Sequence, residues 1–313
     1  MTKTAFIFPG QGSQAVGMGK ALAETYPQAR AVFDEVDAAL GQKLSQLIFE
    51  GPLEELTLTA NAQPALMAVS LAAIRVLEAE SGLILAEHAA CVAGHSLGEY
   101  SALAAAGSLS ISDAARLLRI RGNAMQKAVP VGIGAMAAIL GMEYDVVAAV
   151  AMEAAQGEVC DAANDNGGGQ VVVSGHKAAV ERAIALAQER GAKRAMLLPV
   201  SAPFHCSLMQ PAADAMAEAL AKVIIKAPVV PLVANVKASF VTSTTEIADL
   251  LVRQVTGTVR WRESVRFMAD QGITRFVEVG SGKVLNGLVK RIAESATVSA
   301  IGTPADVAGY RAD

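Results

Sequence analysis

Aromatic residues are scarce in this chain: they make up 4% of its 313 residues, with a single tryptophan, Trp261. A core of stacked rings is excluded, and with 53% hydrophobic residues the interior must be filled by Ala, Val, Leu, Ile and Met. Such a composition suits an α/β core, in one large domain or a large one carrying a smaller. Basic excess is also missing. The formal net charge is −4 and no run of Lys and Arg occurs, so nucleic acid is not an expected partner. Long uniform apolar runs are absent too. The N-terminal "MTKTAFIFPG" is too short in its apolar part, and wrongly flanked, for a signal peptide. Residues 56–74 contain Asn61, Gln63 and Pro64, and their polar–apolar alternation is unlike a membrane span. A cytoplasmic protein that does not engage membranes is expected. The three cysteines, Cys91, Cys160 and Cys206, show neither CxxC spacing nor an even count, which points to free buried thiols and no metal site.

What is present has a clear rhythm. "TAFIF" (4–8) reads as a buried strand running into the loop "PGQGSQ", helical periodicity covers 18–40 and 63–79, "AACVAGHS" (89–96) reads as a second buried strand, and 97–106 as a helix. Strands alternating with helices predict a largely parallel sheet covered on both faces. Between 134 and 200 the order becomes strand 134–141, helix 144–156, strands 158–164 and 170–175, helix 177–190 and strand 193–200. That is the split β-α-β-β-α-β pattern of a ferredoxin-like domain. Proline-bearing edges at 129–132 and 201–205 mark it as an insertion. The remainder, a helix over 207–222, a strand over 228–236, two helical segments, a strand over 275–280 and a helix over 283–294, returns to the first sheet.

The chemistry centres on "GHSLGEYSALAAAG" (94–107), where Gly94, Ser96 and Gly98 satisfy G-x-S-x-G between a strand and a helix. A nucleophile elbow crowds its flanking positions, hence the glycines, and the following helix aims free N–H groups at any anion formed on the serine. An N-cap role would explain the hydroxyl but not both glycines.

A serine nucleophile needs a base, and the chain has four histidines. His95 adjoins the serine, but neighbouring side chains diverge on an elbow. His88 and His176 fall at surface or capping positions. His205 lies at the seam between domains just before the predicted 207–222 helix, whose dipole disfavours imidazolium. Its alternatives, a neutral general base or a satisfied structural histidine, both stay open. None of Asp113, Asp145, Asp161 and Asp165 has the context of a third triad member, and a backbone carbonyl remains the other way to orient the ring. Glu99 reads as a first-turn partner of the helix dipole.

Several stretches together resemble one family, the malonyl-CoA:acyl carrier protein transacylases of fatty acid synthesis, relatives of the acyltransferase domains of polyketide synthases. They are "FIFPGQGSQ" (6–14), "AQPALMA" (62–68), "GHSLGEYSAL" (94–103), "RGNAMQ" (121–126), "GAMAAILG" (134–141), "QVVVSG" (170–175), "APFHCSLM" (202–209) and "VEVGSGKVLNGLVKRI" (277–292). The resemblance implies an α/β-hydrolase-like large domain with a parallel-sheet core, residues 1–129 and 202–313, and a ferredoxin-like inserted domain, residues 130–201. It implies that Ser96 is malonylated by malonyl-CoA and that His205, oriented by main-chain oxygen, serves as base in both half-reactions of transfer to acyl carrier protein. The oxyanion hole would come from the N–H groups of Leu97 and Gln11.

Malonyl carries a free carboxylate, for which a guanidinium is the natural bidentate partner. Arg116, Arg119 and Arg121 share one helical stretch, and only the resemblance selects Arg121. It also marks Gln254 and Phe204 as substrate-binding, the ring of Phe204 favouring malonyl over methylmalonyl, and Asn166 as a residue reaching in from the insert. No cofactor is implied, since the CoA thioester is a substrate, and a monomer is expected. Lys283, Lys290 and Arg291 are candidates for a face toward the acidic carrier. The same elbow also fits a polyketide-type acyltransferase using another extender, or a serine thioesterase.

Overall fold

The computed structural model describes residues 3–200 and 202–312; the domain edge expected at 201 falls outside the described residues. Ten strands occur among them: β1 (Lys3–Phe8), β2 (Cys91–Gly94), β3 (Gly134–Leu140), β4 (Cys160–Asp165), β5 (Gln170–His176), β6 (Arg194–Leu197), β7 (Leu232–Val233), β8 (Phe240–Val241), β9 (Ile273–Val279) and β10 (Thr297–Ile301). They form two sheets, one of order β10-β9-β1-β2-β7-β8 and one of order β4-β5-β3-β6.

The larger sheet is parallel except for the β7–β8 edge. Its central strands carry continuous buried apolar runs, residues 5–8 of β1 and 91–94 of β2, because both faces are covered. In β1, Phe6 and Phe8 enter the core on one face, while Ala5 and Ile7 enter a second core built around Trp261 on the other. The fold is α/β, with an α/β-hydrolase-like parallel sheet as its main body. Parallel strands all end on the same side, so the chain leaving β1, β2, β7 and β9 arrives at one edge, where ligands of such sheets bind.

The smaller sheet is wholly antiparallel and follows the β-α-β-β-α-β order of the ferredoxin-like fold. Helices Tyr144–Ala155 and Lys177–Glu189 cover one face, with Ala137 and Ile139 of β3 packed beneath them. The alternate residues Met136 and Ala138 point the other way, into a cavity shared with the main body. The two units are joined at β4. Val259 N–H donates to Ala163 O, Asp165 N–H donates to Val259 O, and Arg262 pairs with the buried Asp165 at 2.7 Å.

Several boundaries differ from the sequence reading. The expected 18–40 helix is two, Lys20–Thr25 and Pro27–Leu40, because the residue before a proline is forced out of the helical region, and Tyr26 is extended. The helix expected from 63 begins a turn earlier, at Thr59, with Pro64 inside it. There the buried Thr59 hydroxyl accepts from Gln63 Nε2 and donates to Gln11 Oε1, which favours the extra turn. This helix, Thr59–Ser81, is long and apolar enough to cross a membrane, but 83% of its apolar window is buried in the protein. The 207–222 helix is a 3₁₀ turn, Ser207–Met209, followed by Gln210–Leu220. Of the expected 228–236 strand only Leu232–Val233 pairs, since Pro228 and Pro231 lack N–H groups.

Trp261 is fully buried against the sheet. Trp261→Ala should lower unfolding free energy by about 3–5 kcal/mol, read from urea denaturation.

Candidate active site

Ser96 stands between the end of β2 and the helix Gly98–Ala105, with φ of 53°, a left-handed conformation that turns its side chain out of the strand. The turn is possible only without flanking side chains. A Cβ on Gly94 would lie 1.9 Å from the Gly98 carbonyl carbon, and one on Gly98 would lie 2.2 Å from Phe8 O. Asn235, just beyond β7, ties the elbow down: its Oδ1 accepts from Ser96 N–H at 2.8 Å, and its Nδ2 donates to Gly94 O at 2.7 Å.

His205 Nε2 lies 2.7 Å from Ser96 Oγ, and Nδ1 lies 2.9 Å from the backbone oxygen of Gln254. A carbonyl can only accept, so Nδ1 carries the proton and Nε2 is free to take one from the serine. Among the described residues no carboxylate completes a triad. Asp161 accepts from Ser207, Asp165 pairs with Arg262, and Asp113 caps its own helix with Ser110. Burial, and then the Arg121 cation, lower the His205 pKa to about 3. The helix dipole is not needed for this, because Cys206 and the 3₁₀ turn separate the ring from the helix Gln210–Leu220.

Arg121 is 1% exposed. Its Nη2 donates to Ser96 Oγ at 3.1 Å and to Gln254 Oε1 at 2.8 Å, and its Nη1 donates to Gln63 Oε1 at 2.8 Å. The face of Tyr100 lies 5.8 Å from the guanidinium carbon. All its partners are neutral, and among the described residues no carboxylate lies within ion-pair distance of it. Arg116 and Arg119 point elsewhere, the first to Asp113 and the second to Asn61 and Gln42.

These groups open onto a cavity of about 500 Å³ lined by Gln11, His95, Asn166, Phe204 and the roof residues Met136 and Ala138, among others. Among the described residues, the N–H groups of Leu97 and Gln11 meet no protein acceptor. The site thus offers a hydroxyl with a neutral base, two backbone donors and a buried cation, which is the equipment for acyl transfer to and from an anionic acyl group.

A family model described as acyl transferase domain matches residues 5–311. The chain belongs to the acyl transferase domain family. It is 50% identical over 308 residues to the malonyl CoA-acyl carrier protein transacylase of Escherichia coli K12, covering 98% of each chain. Among solved structures, the acyl-carrier-protein S-malonyltransferase of Bartonella henselae superposes with a TM-score of 0.96 at 56% identity, again covering 98% of each. A malonyl-transacylase in holo complex with its type II polyketide acyl carrier protein gives 0.94 at 43% identity, with 98% of each chain covered.

In this acyl transferase the remaining residues singled out by sequence occupy distinct places. Phe204 lies in the cavity wall beside the histidine. Asn166 reaches the wall from the insert, where its Oδ1 accepts from His95 Nε2 at 2.8 Å; the turn after it is made by Gly167, Gly168 and Gly169, all of positive φ. Gln254 is fully buried and not in the wall, standing behind Arg121 and lending its main chain to His205. His88 and His176 bond to nearby backbone, at Ile84 and Val159. Lys290 Nζ donates to Ala296 O, and Arg291 to Gln170. The thiols of Cys91, Cys160 and Cys206 are free and buried, and burial pushes Cys91 up to about 12.

Three residues of the acyl transferase's site were not read from sequence as parts of it: Asn235, Gln63 and Glu99. Gln63 lies in a quoted motif, "AQPALMA", but nothing local shows that its amide meets Arg121. Glu99, expected to face the helix dipole, is 1% exposed and accepts from Asn235 N–H and Gln254 Nε2.

A His205 pKa held near 3 gives a signed expectation. Below the ordinary histidine value the unfolded chain takes a proton that the native one refuses, so this residue's share of stability falls with pH from about 6.5 toward 3. Activity should not follow a histidine titration. kcat/KM, which reports the free enzyme, should show no limb near pH 6.5, as a pH–rate profile from 5 to 8 will test.

Proposed function

We propose that this protein transfers malonyl from malonyl-CoA to the phosphopantetheine thiol of acyl carrier protein, through an ester on Ser96, supplying malonyl groups for fatty acid synthesis. The observation that carries this reading is the buried Arg121 cation, held by neutral groups within reach of the nucleophile. An unpaired buried charge costs several kcal/mol, and a substrate carboxylate provides the missing partner. The names of the relatives agree with it.

In the first half-reaction His205 Nε2 takes the Ser96 proton as Oγ attacks the thioester carbonyl. The N–H groups of Leu97 and Gln11 receive the oxyanion, each worth about 3 kcal/mol in such holes. Collapse expels CoA sulfur, which leaves with the proton from Nε2. In the second half the carrier thiol gives its proton to Nε2, its sulfur attacks the ester, and the proton returns to Ser96 as it departs. His205 starts and ends each half neutral, for which its low pKa is suited. Arg121 keeps the malonyl carboxylate while one thiol replaces the other, with Gln254 bracing it, and Phe204 and Asn166 shape the acyl and thioester sides.

In this reading the catalytic body comprises 1–129 and 202–313, and the insert 130–201 closes the cavity from above. The enzyme works as a cytoplasmic monomer. Its carrier is acidic, and exposed Lys283 beside the cavity residue Val284 supports docking on that side.

Mixing the protein with malonyl-CoA should give a serine ester by intact mass that Ser96→Ala does not form; an unlabelled wild type would overturn the reading. Arg121→Ala should reduce kcat/KM for malonyl-CoA by about 100-fold or more while acetyl-CoA loses far less, and Arg119→Ala should alter neither. Equal losses with both substrates would favour a thioesterase.

A further inference from the structure

The amide of Gln254 has two chemically opposite ends, and only one suits Arg121. Its oxygen accepts from the guanidinium at 2.8 Å, which requires its nitrogen to face the other way. There Nε2 meets Glu99 Oε2 at 2.6 Å and Ser96 O at 3.0 Å. Were the amide to turn over, its N–H groups would confront a buried cation. Without Glu99 the remaining acceptors are one backbone carbonyl and Asn235 Oδ1 at 3.4 Å, a weak guard against that; a carboxyl oxygen at 2.6 Å is a strong one.

Glu99 is well placed to be that guard. It rises from the first turn of the helix Gly98–Ala105, is wholly buried, and places both of its bonds on one oxygen, with Asn235 N–H at 3.2 Å as the second donor. Its other oxygen, Oε1, has no partner. The contact therefore needs an acceptor at Oε2 and not a charge, since a proton on Oε1 would leave Oε2 as it is. Asn235 in turn holds Ser96 N–H, so one buried oxygen is shared between the brace behind Arg121 and the clamp on the nucleophile.

We propose that Glu99 is a positioning residue for acyl selection: its Oε2 fixes which way the Gln254 amide faces, and so holds the Arg121 guanidinium over Ser96. This rests on the malonyl-transfer reading above. The test measures, on the purified full chain, the rate of Ser96 acylation by malonyl-CoA and by acetyl-CoA. Glu99→Gln, which keeps an oxygen at that place, should hold the malonyl-to-acetyl rate ratio within about threefold of wild type, whereas Glu99→Met should lower it about tenfold or more. Glu99→Asp keeps a buried carboxyl but withdraws it by one methylene, and should shift the ratio in the same direction even if the Met variant does not fold. In a Gln254→Met background, Glu99→Asp should move the ratio no further. Equal loss of both substrates in the Asp and Met variants would reduce Glu99 to a structural role and overturn the proposal. A Gln variant as impaired as Met would overturn it too, by showing that charge is what matters. Failure of the malonyl-transfer reading is a separate result, a wild type that gains no malonyl mass.

Discussion

Everything at this site depends on how closely the backbone around Ser96 is packed. The end of β2, the start of the next helix and the end of β1 approach until no Cβ fits between Gly94 and Gly98 or between Gly98 and Phe8. Phe8 and Gly94 lie side by side in register, so the loop bearing Gln11 and the turn bearing Ser96 leave the sheet together. In the proposed mechanism, looser packing would separate the nucleophile from one of its two oxyanion donors. The left-handed turn at Ser96 costs roughly 1–2 kcal/mol, which the surrounding hydrogen bonds must outweigh.

Around that turn lies a buried polar lattice organised by one cation that, among the described residues, no carboxylate touches. Arg121 is held by Gln63, Gln254 and Ser96, and each of these is fixed by another contact: Gln63 by Thr59, Gln254 by Glu99, Ser96 by Asn235. Thr59 carries the chain of bonds on to Gln11. The elements proposed to bind the acyl carboxylate and to stabilise the oxyanion are thus linked through side chains as well as through the sheet. Neutral partners suit the task. A carboxylate in direct contact with Arg121 would compete with the acyl carboxylate of the proposed reaction; Glu99 instead stands one amide away, behind Gln254.

The sequence made some of this legible and hid the rest for physical reasons. Ser96 could be read because its constraints are local: two glycines, a strand before and a helix after. The strands and helices of the insert could be read because each alternates or repeats within its own length. His205 was a candidate from chemistry, but what keeps its ring neutral is burial and an arginine remote in sequence that meets the same serine, neither of which a helix end nearby would suggest. Among three arginines on one helix, nothing local distinguished Arg121; the family resemblance did. Asn235 and Glu99 went unread as site residues because they meet their partners across about 140 positions of chain, and β7, which delivers Asn235, is two residues long between proline and loop.

The alternation of β3 has a bearing on how such an enzyme can change. Ala137 and Ile139 belong to the interior of the insert, while Met136 and Ala138, interleaved with them, line the acyl cavity. One strand therefore carries two independent sets of instructions, one for folding and one for what the enzyme accepts. Mutation can revise the second without editing the first. A lineage adapting to a bulkier acyl group has a route through residues that neither touch the reacting atoms nor hold the domain together, whereas a one-residue slip in the pairing of β3 would exchange the two sets and spoil both at once.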